Sequence, residues 1–149
     1  MYRGAKLVRE SLLEFHQTGD PIKLLGIGPY EAYINAFFDN LKVSRDKYRI
    51  EGGKTIFSGD LYLDGCASLT KLPDGLTVGG GLYLTGCTRL TKLPDGLTVG
   101  GWLSLEGCTS LTELPDNLKV NGDIWVKPNQ KELIDYIKHS KYKNKLEIG

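Results

Sequence analysis

Three cysteines, Cys66, Cys87 and Cys108, are the residues whose type and spacing most invite chemistry in this chain. A thiol can ligate a metal, exchange with a disulfide or act as a nucleophile, and each role needs company. Structural zinc takes four convergent ligands, and nucleophilic catalysis needs a base and a group that orients it. The only histidines, His16 and His139, lie far from the cysteines in sequence. An odd cysteine count at a regular period argues against a disulfide framework and for a reducing compartment. Asp60 and Asp64 fall on one face of a short strand, but solvated strand carboxylates are commoner than a catalytic acid–base pair. The Gly-Gly pairs at 79–80 and 100–101 precede no Gly-Lys-Ser/Thr, so they are not phosphate loops. These residues imply no catalysis, no cofactor and no metal site. The expectation is a protein that binds rather than reacts.

The spacing itself says more. Leu61-Tyr62-Leu63-Asp64-Gly65-Cys66 recurs as Leu82-Tyr83-Leu84-Thr85-Gly86-Cys87 and as Leu103-Ser104-Leu105-Glu106-Gly107-Cys108. A constant 21-residue period marks an array of stacked supersecondary units. In the middle unit, Leu82 and Leu84 flank Tyr83 and must point to one side of a strand. Leu90 and Leu93 close the core from the return side, and Leu97 and Val99 fill the corner before the next strand. The alternation Leu76, Val78, Gly80, Leu82, Leu84 is unbroken, so a second strand can begin near Val78 with the glycine pair as a bend of unspecified place. Pro94-Asp95-Gly96 is turn chemistry, with Gly96 at positive φ. Asn117 replaces that glycine in the third unit, and asparagine is the next-best residue there.

Flanking elements must close the array. Lys6 to Phe15 places Val8, Leu12 and Phe15 near one helical face, ended by Thr18-Gly19-Asp20-Pro21. Ile22 to Gly28 reads as a packed linker. A second helix should run from Pro29 to about Leu41 with Tyr33, Ile34, Phe37, Phe38 and Leu41 as its apolar face. Strands are expected on either side of Glu51-Gly52-Gly53. Past Val126, Asn129-Gln130-Lys131-Glu132 has the pattern of a capping box. It would open a helix to about His139, with Leu133, Ile134 and Ile137 covering the last rung. Leu146 and Ile148 suggest one more short strand. The expected organisation is an N-terminal helical cap or leader over 1–46, an array over 47–127, and a C-terminal helical cap and tail over 128–149.

The Leu-x-Leu-x-x-Cys-x-x-Leu core at 61–69, 82–90 and 103–111 resembles a leucine-rich repeat. In such repeats Cys and Asn alternate at one position and satisfy backbone groups inside the turn. Asn129, 21 residues after Cys108, takes that place in the fourth unit. The Leu-Pro pairs at 72–73, 93–94 and 114–115 resemble the short "LPX" bacterial subclass. That subclass includes secreted effectors whose repeats precede a ubiquitin-ligase domain, for which this chain has no room. The layout also resembles short leucine-rich-repeat proteins encoded by bacteriophages, through Val8 to Leu12, Gly-Asp-Pro at 19–21, Gly-Ile-Gly at 26–28 and a tail like 131–137. The resemblance implies an α/β solenoid of about four rungs of short parallel strands with helical caps at both ends. It implies a binding scaffold, and the reducing compartment expected from the cysteines is the cytoplasm, the host cell's if the protein is phage-encoded.

A partner would meet the side chains that point out between the core leucines. These are Asp60, Tyr62 and Asp64; Gly81, Tyr83 and Thr85; Trp102, Ser104 and Glu106; and Asp123, Trp125 and Lys127. They change from rung to rung where the rest of the repeat hardly varies, and they include both tryptophans of the chain. Exposed Trp and Tyr are common interface anchors; the competing reading packs Trp102 and Trp125 on each other or under a cap. Four rungs present on the order of 140 Å², against about 800 Å² per partner in a standard interface. A protein partner therefore needs a wider contact that takes in a cap. A small ligand such as a peptide or nucleotide signal, or self-association, are the alternatives. Acidic rungs disfavour phosphates. A net charge of +1 with interspersed signs points away from nucleic acid. No apolar run approaches a membrane span, and the N-terminus does not read as a secretory signal.

Overall fold

The computed structural model describes residues 28–149. The Lys6–Phe15 helix, its stop at 18–21, most of the 22–28 linker and the leader motifs lie outside the described residues. The chain divides into two compact units, one ending at Gly53 and one running from Lys54 to Gly149, and each is taken by itself.

In the first unit, helix α1 spans Pro29–Asn40 with proline at its start, where a missing N–H costs no intrahelical bond. Glu31 in the first turn suits the positive end of the helix dipole. Ile34 and Phe38, one turn apart, are buried, while Tyr33, Phe37 and Leu41 are half-buried. Phe37 meets Phe38 edge-on at 5.0 Å, and the Tyr48 phenol donates to Asn35 Oδ1 at 2.8 Å. The helix closes with a double turn in which Lys42 N–H donates to Asp39 O and Val43 N–H to Phe38 O. That closure needs a left-handed residue, and Lys42 supplies it at φ 62°. A lysine there is strained where glycine is not. Lys42→Gly should therefore raise stability by about 0.5–1 kcal/mol, read as a higher urea midpoint; an unchanged or lower midpoint would remove the strain. Strand β1, Tyr48–Glu51, follows, and Gly52 and Gly53 both take positive φ.

The second unit holds two sheets of parallel strands. One contains β2 (Lys54–Phe57), β4 (Leu76–Val78), β6 (Thr98–Val99) and β8 (Lys119–Val120), neighbours in that order. The other orders β3 (Leu61–Tyr62), β5 (Leu82–Tyr83), β7 (Leu103–Ser104), β9 (Ile124–Val126) and β10 (Leu146–Ile148) side by side. Thr77 pairs with Thr98 and Thr98 with Lys119; Leu61 pairs with Leu82, then Leu103, then Ile124. Each step is 21 residues, one sequence period. Leu76, Val78, Leu82, Leu84, Leu90, Leu97 and Val99 belong to the core of this unit, all 0 % exposed. Each such side chain contributes roughly 2 kcal/mol of burial.

The unbroken alternation from Leu76 to Leu84 is thus two strands in two sheets, and the bend falls on the glycines between them. Gly79 N–H donates to Phe57 O and Gly100 N–H to Val78 O, while Gly101 reaches Gly80 O and Gly122 reaches Gly101 O. The ladder turns the corner without losing backbone bonds. Close approach is the reason for glycine here: a Cβ on Gly79 would lie 2.7 Å from Ser58 O, and one on Gly122 2.8 Å from Gly101 O.

Helix α2, Lys131–Lys138, buries Leu133, Ile134 and Ile137 as expected. Phenols tie this end down: Tyr136 of α2 donates to Leu114 O at 2.8 Å, and Tyr142, past the helix, to Pro115 O at 2.6 Å and Leu118 O at 3.1 Å. Two details correct the sequence reading. The capping box does not form, because the residue before the helix, Gln130, makes no side-chain cap and turns its amide into the core. Asn117 does not take positive φ: Gly75 and Gly96 do, at 78° and 73°, whereas Asn117 uses its side-chain oxygen to accept from Gly96 N–H at 2.9 Å. The expected C-terminal strand is β10, paired in parallel with β9.

Candidate functional site

The cysteine column is an inner structure. Cys87 and Cys108 are fully buried, and their thiols donate to Leu63 O at 3.2 Å and Leu84 O at 3.1 Å, each a carbonyl of the preceding rung. Cys66, at the first rung, is half-buried. Burial pushes the Cys87 thiol up to about 11 and the Cys108 thiol to about 12, and raises Cys66 as well. A protonated thiol is a poor nucleophile and a poor metal ligand. The fourth place in the column belongs to Gln130 rather than Asn129, which is exposed. Gln130 Nε2 donates to Leu105 O at 2.8 Å, continuing the series Leu63, Leu84, Leu105. One added residue before the helix shifts the column, and only the longer glutamine side chain reaches the carbonyl from there.

These thiols link stability to pH. A group whose folded pKa exceeds its unfolded value stabilises the fold below the unfolded value and ceases to as pH rises through the folded one. For Cys87 and Cys108 that window opens at the ordinary value, 9.0, and runs to about 11 and about 12. Across it, the two together should remove stability at up to roughly 3 kcal/mol per pH unit. A Cys87→Ser, Cys108→Ser variant keeps a donor but does not titrate there, so chemical denaturation should show its alkaline limb flattened. An alkaline limb equal to that of the parent chain would remove the thiols from the account.

The outward face of the β3–β10 sheet carries the residues expected to meet a partner. Its central column runs Tyr62, Tyr83, Ser104, Trp125 and Glu147 in strand register. Tyr62 and Tyr83 stack with ring centroids 4.7 Å apart and planes 8° from parallel. Tyr62 donates its phenol to Asp60 Oδ2 at 3.0 Å, which raises its pKa above the ordinary tyrosine value. Asp60 Oδ1 also accepts from Gly81 N–H at 2.6 Å, and Asp64 Oδ1 from Thr85 N–H at 3.1 Å, so both carboxylates are tied to the next rung. On the far side, Lys127 Nζ lies 3.5 Å from Glu106 Oε2. Two glycines seat the rings: a Cβ on Gly81 would meet the Tyr83 ring at 2.8 Å, and one on Gly122 would meet Trp102 Cδ1 at 2.5 Å.

The residues named from sequence share this face but not one exposure. Tyr62 is 63 % exposed and Trp102 53 %, and Asp60, Asp64 and Lys127 are also open. Tyr83, Thr85, Glu106, Asp123 and Trp125 are half-buried. Ser104 and Gly81 are covered; Ser104 Oγ sits 2.9 Å from Thr85 Oγ1. Trp125 lies beside the tail, where a Cβ on Gly149 would be 3.8 Å from its Cε3, and its indole nitrogen is buried with no hydrogen-bond partner. Trp102 is the more exposed of the two tryptophans. Glu147, which β10 adds to the central column, was missed in the sequence reading, although Leu146-Glu147-Ile148 repeats the apolar–polar–apolar pattern of the other strands. Among the described residues no helix is long and apolar enough to cross a membrane. No family model matches this chain, and neither a curated protein nor a solved structure matches it.

Proposed function

We propose that the chain is a short leucine-rich-repeat solenoid that serves as a non-catalytic binding module, with the outward face of the β3–β10 sheet as its recognition surface and a protein as its partner. The observation that carries this reading is a set of aromatic side chains on one face of a parallel sheet, Tyr62 stacked on Tyr83, with Tyr62 and Trp102 exposed. The exact sequence period in the strand registers supports the solenoid. The bacterial or phage setting, with a host protein as target, follows from the resemblance of the leader and repeats. With β10 the face is about 19 Å long and roughly 10 Å wide. That remains well below the roughly 800 Å² per side of a standard interface, so the partner offers a short extended segment, or a neighbouring helix such as α2 widens the contact.

Trp102→Ala tests the reading. Affinity capture from the native host should lose its partner with this variant while circular dichroism and the melting temperature stay those of the parent. A variant that unfolds would make Trp102 a packing residue. Undiminished capture by a folded variant would place recognition elsewhere.

A further inference from the structure

The charges of the second unit are balanced in number and uneven in place. Residues 54–149 contain eleven acidic and eleven basic side chains. The outward face of the β3–β10 sheet takes Asp60, Asp64, Glu106, Asp123 and Glu147, against the cation Lys127 and, at the β10 edge one residue before the Leu146–Ile124 pair, Lys145. The hydrogen bonds that Asp60 and Asp64 accept come from neutral N–H and O–H groups, so they fix the carboxylates without cancelling their charge. Lys127 offsets one charge, that of Glu106. An acidic face alone would name no ligand. Here it borders the exposed rings of Tyr62 and Trp102, whose π faces attract cations.

Building on the binding-module reading above, we infer that this face receives an extended, arginine-bearing segment of a protein partner, guanidinium groups lying on the aromatic rings and pairing with the flanking carboxylates. Guanidinium suits both halves of the surface: it is planar, stacks on rings, bonds carboxylates in a fork and sheds water more easily than an ammonium does. An extended chain covers about 3.3 Å per residue, so a face about 19 Å long accommodates roughly six residues. The receiving groups are already placed. The Tyr62 ring is stacked on Tyr83 and tethered to Asp60, so little side-chain freedom is left to lose on binding. Nucleic acids and acidic peptides meet repulsion on the same face. Lys127 makes the inference sharp, because an incoming guanidinium must compete with it for Glu106.

The probe is a synthetic six-residue peptide alternating arginine with serine, beside its lysine and glutamate counterparts. Binding is followed by tryptophan fluorescence and calorimetry at low and physiological ionic strength. The arginine peptide should bind and weaken with salt. The lysine peptide should bind at least about threefold more weakly, and the glutamate peptide not at all. Asp60→Asn with Asp64→Asn should reduce arginine-peptide affinity about tenfold, and Trp102→Ala several-fold. Lys127→Ala should strengthen it, a gain that structural damage would not produce. Each variant is first shown to be folded by circular dichroism. Equal binding of the glutamate peptide, or indifference to the carboxylate and Lys127 variants, overturns the inference. If a Trp102-dependent partner is captured from the host but the arginine peptide does not bind, the cationic segment is wrong and the binding module stands. Loss of both results removes both.

Discussion

Gly100→Ala should cost about 3 kcal/mol or more, a large share of the stability of a typical domain. Its methyl group would overlap the carbonyl oxygen of Gly79 and lie 2.9 Å from the carbonyl carbon. Both are backbone atoms, so no side chain can swing away. Nor can the backbone give easily: Gly79 is bonded to Phe57 O, Gly100 to Val78 O and Asn121 to Val99 O, so one displaced rung disturbs the next. Gly96→Ala is the matched control. Gly96 has φ +73° with open space around a Cβ, so alanine there strains one residue by about 1–2 kcal/mol and clashes with nothing. Urea denaturation of the two variants separates the effects. Equal losses would mean that backbone conformation, not contact between rungs, is what glycine supplies at the bend.

Gln130→Leu should be nearly as severe, at about 3–5 kcal/mol. The Gln130 amide is 6 % exposed and fills four hydrogen-bonding roles: it donates to Leu105 O at 2.8 Å and Cys108 O at 3.3 Å, and accepts from Lys127 N–H at 2.6 Å and Gly107 N–H at 3.1 Å. Leucine fills similar volume but leaves these backbone groups without their partner, and an unmade buried bond costs about 1–3 kcal/mol. Gln130→Glu sharpens the test. An ionised carboxylate cannot donate to two carbonyls, so its folded pKa should rise, and stability should return as pH falls through that value. Asn129→Ala, one residue away and exposed, should move stability by no more than about 0.5 kcal/mol. If Asn129→Ala proved the more damaging of the two, the turn position would belong to Asn129 after all.

Gln130 shows where sequence reasoning reached its limit. The series Cys66, Cys87, Cys108 predicts its next member by counting, and counting lands on Asn129. The structure contains one extra residue before α2, and the paired strands β9 and β10 are likewise displaced by 22 positions rather than the array's 21. Counting assumes that the repeat continues, and the cap is where it stops. Asn117 failed for a related reason. Chemistry at a repeat position was transferred from glycine to asparagine, yet a side chain that can bond its neighbour, here Gly96 N–H, no longer needs the left-handed backbone.

The candidate face was legible in composition and only partly in exposure. Tyr62, Tyr83, Trp102 and Trp125 alternate with core leucines, and alternation on a strand sends them outward whatever the details. Which of them a partner could touch depends on what lies beside each. Trp102 rests over Gly122 and stays open, whereas Trp125 lies against the tail and is half-buried. Ser104, small and flanked by Tyr83 and Trp125 in register, is covered by its neighbours.

The sequence by itself determined the period, the strand-forming Leu-x-Leu blocks, the buried leucine and cysteine columns, and the helix that closes the C-terminal end. These are local: side-chain alternation, turn residues and helical periodicity act within a few residues, and a repeat multiplies the signal. Tertiary structure alone decided that the alternation from Leu76 to Leu84 breaks into two sheets at Gly79–Gly81, that Gln130 completes the thiol column, and that the acidic and aromatic side chains of five strands gather on one face. Each of those depends on groups 21 to 25 residues apart brought within 2.6 to 4.7 Å, a distance set by how the rungs stack and not by any residue's own preference.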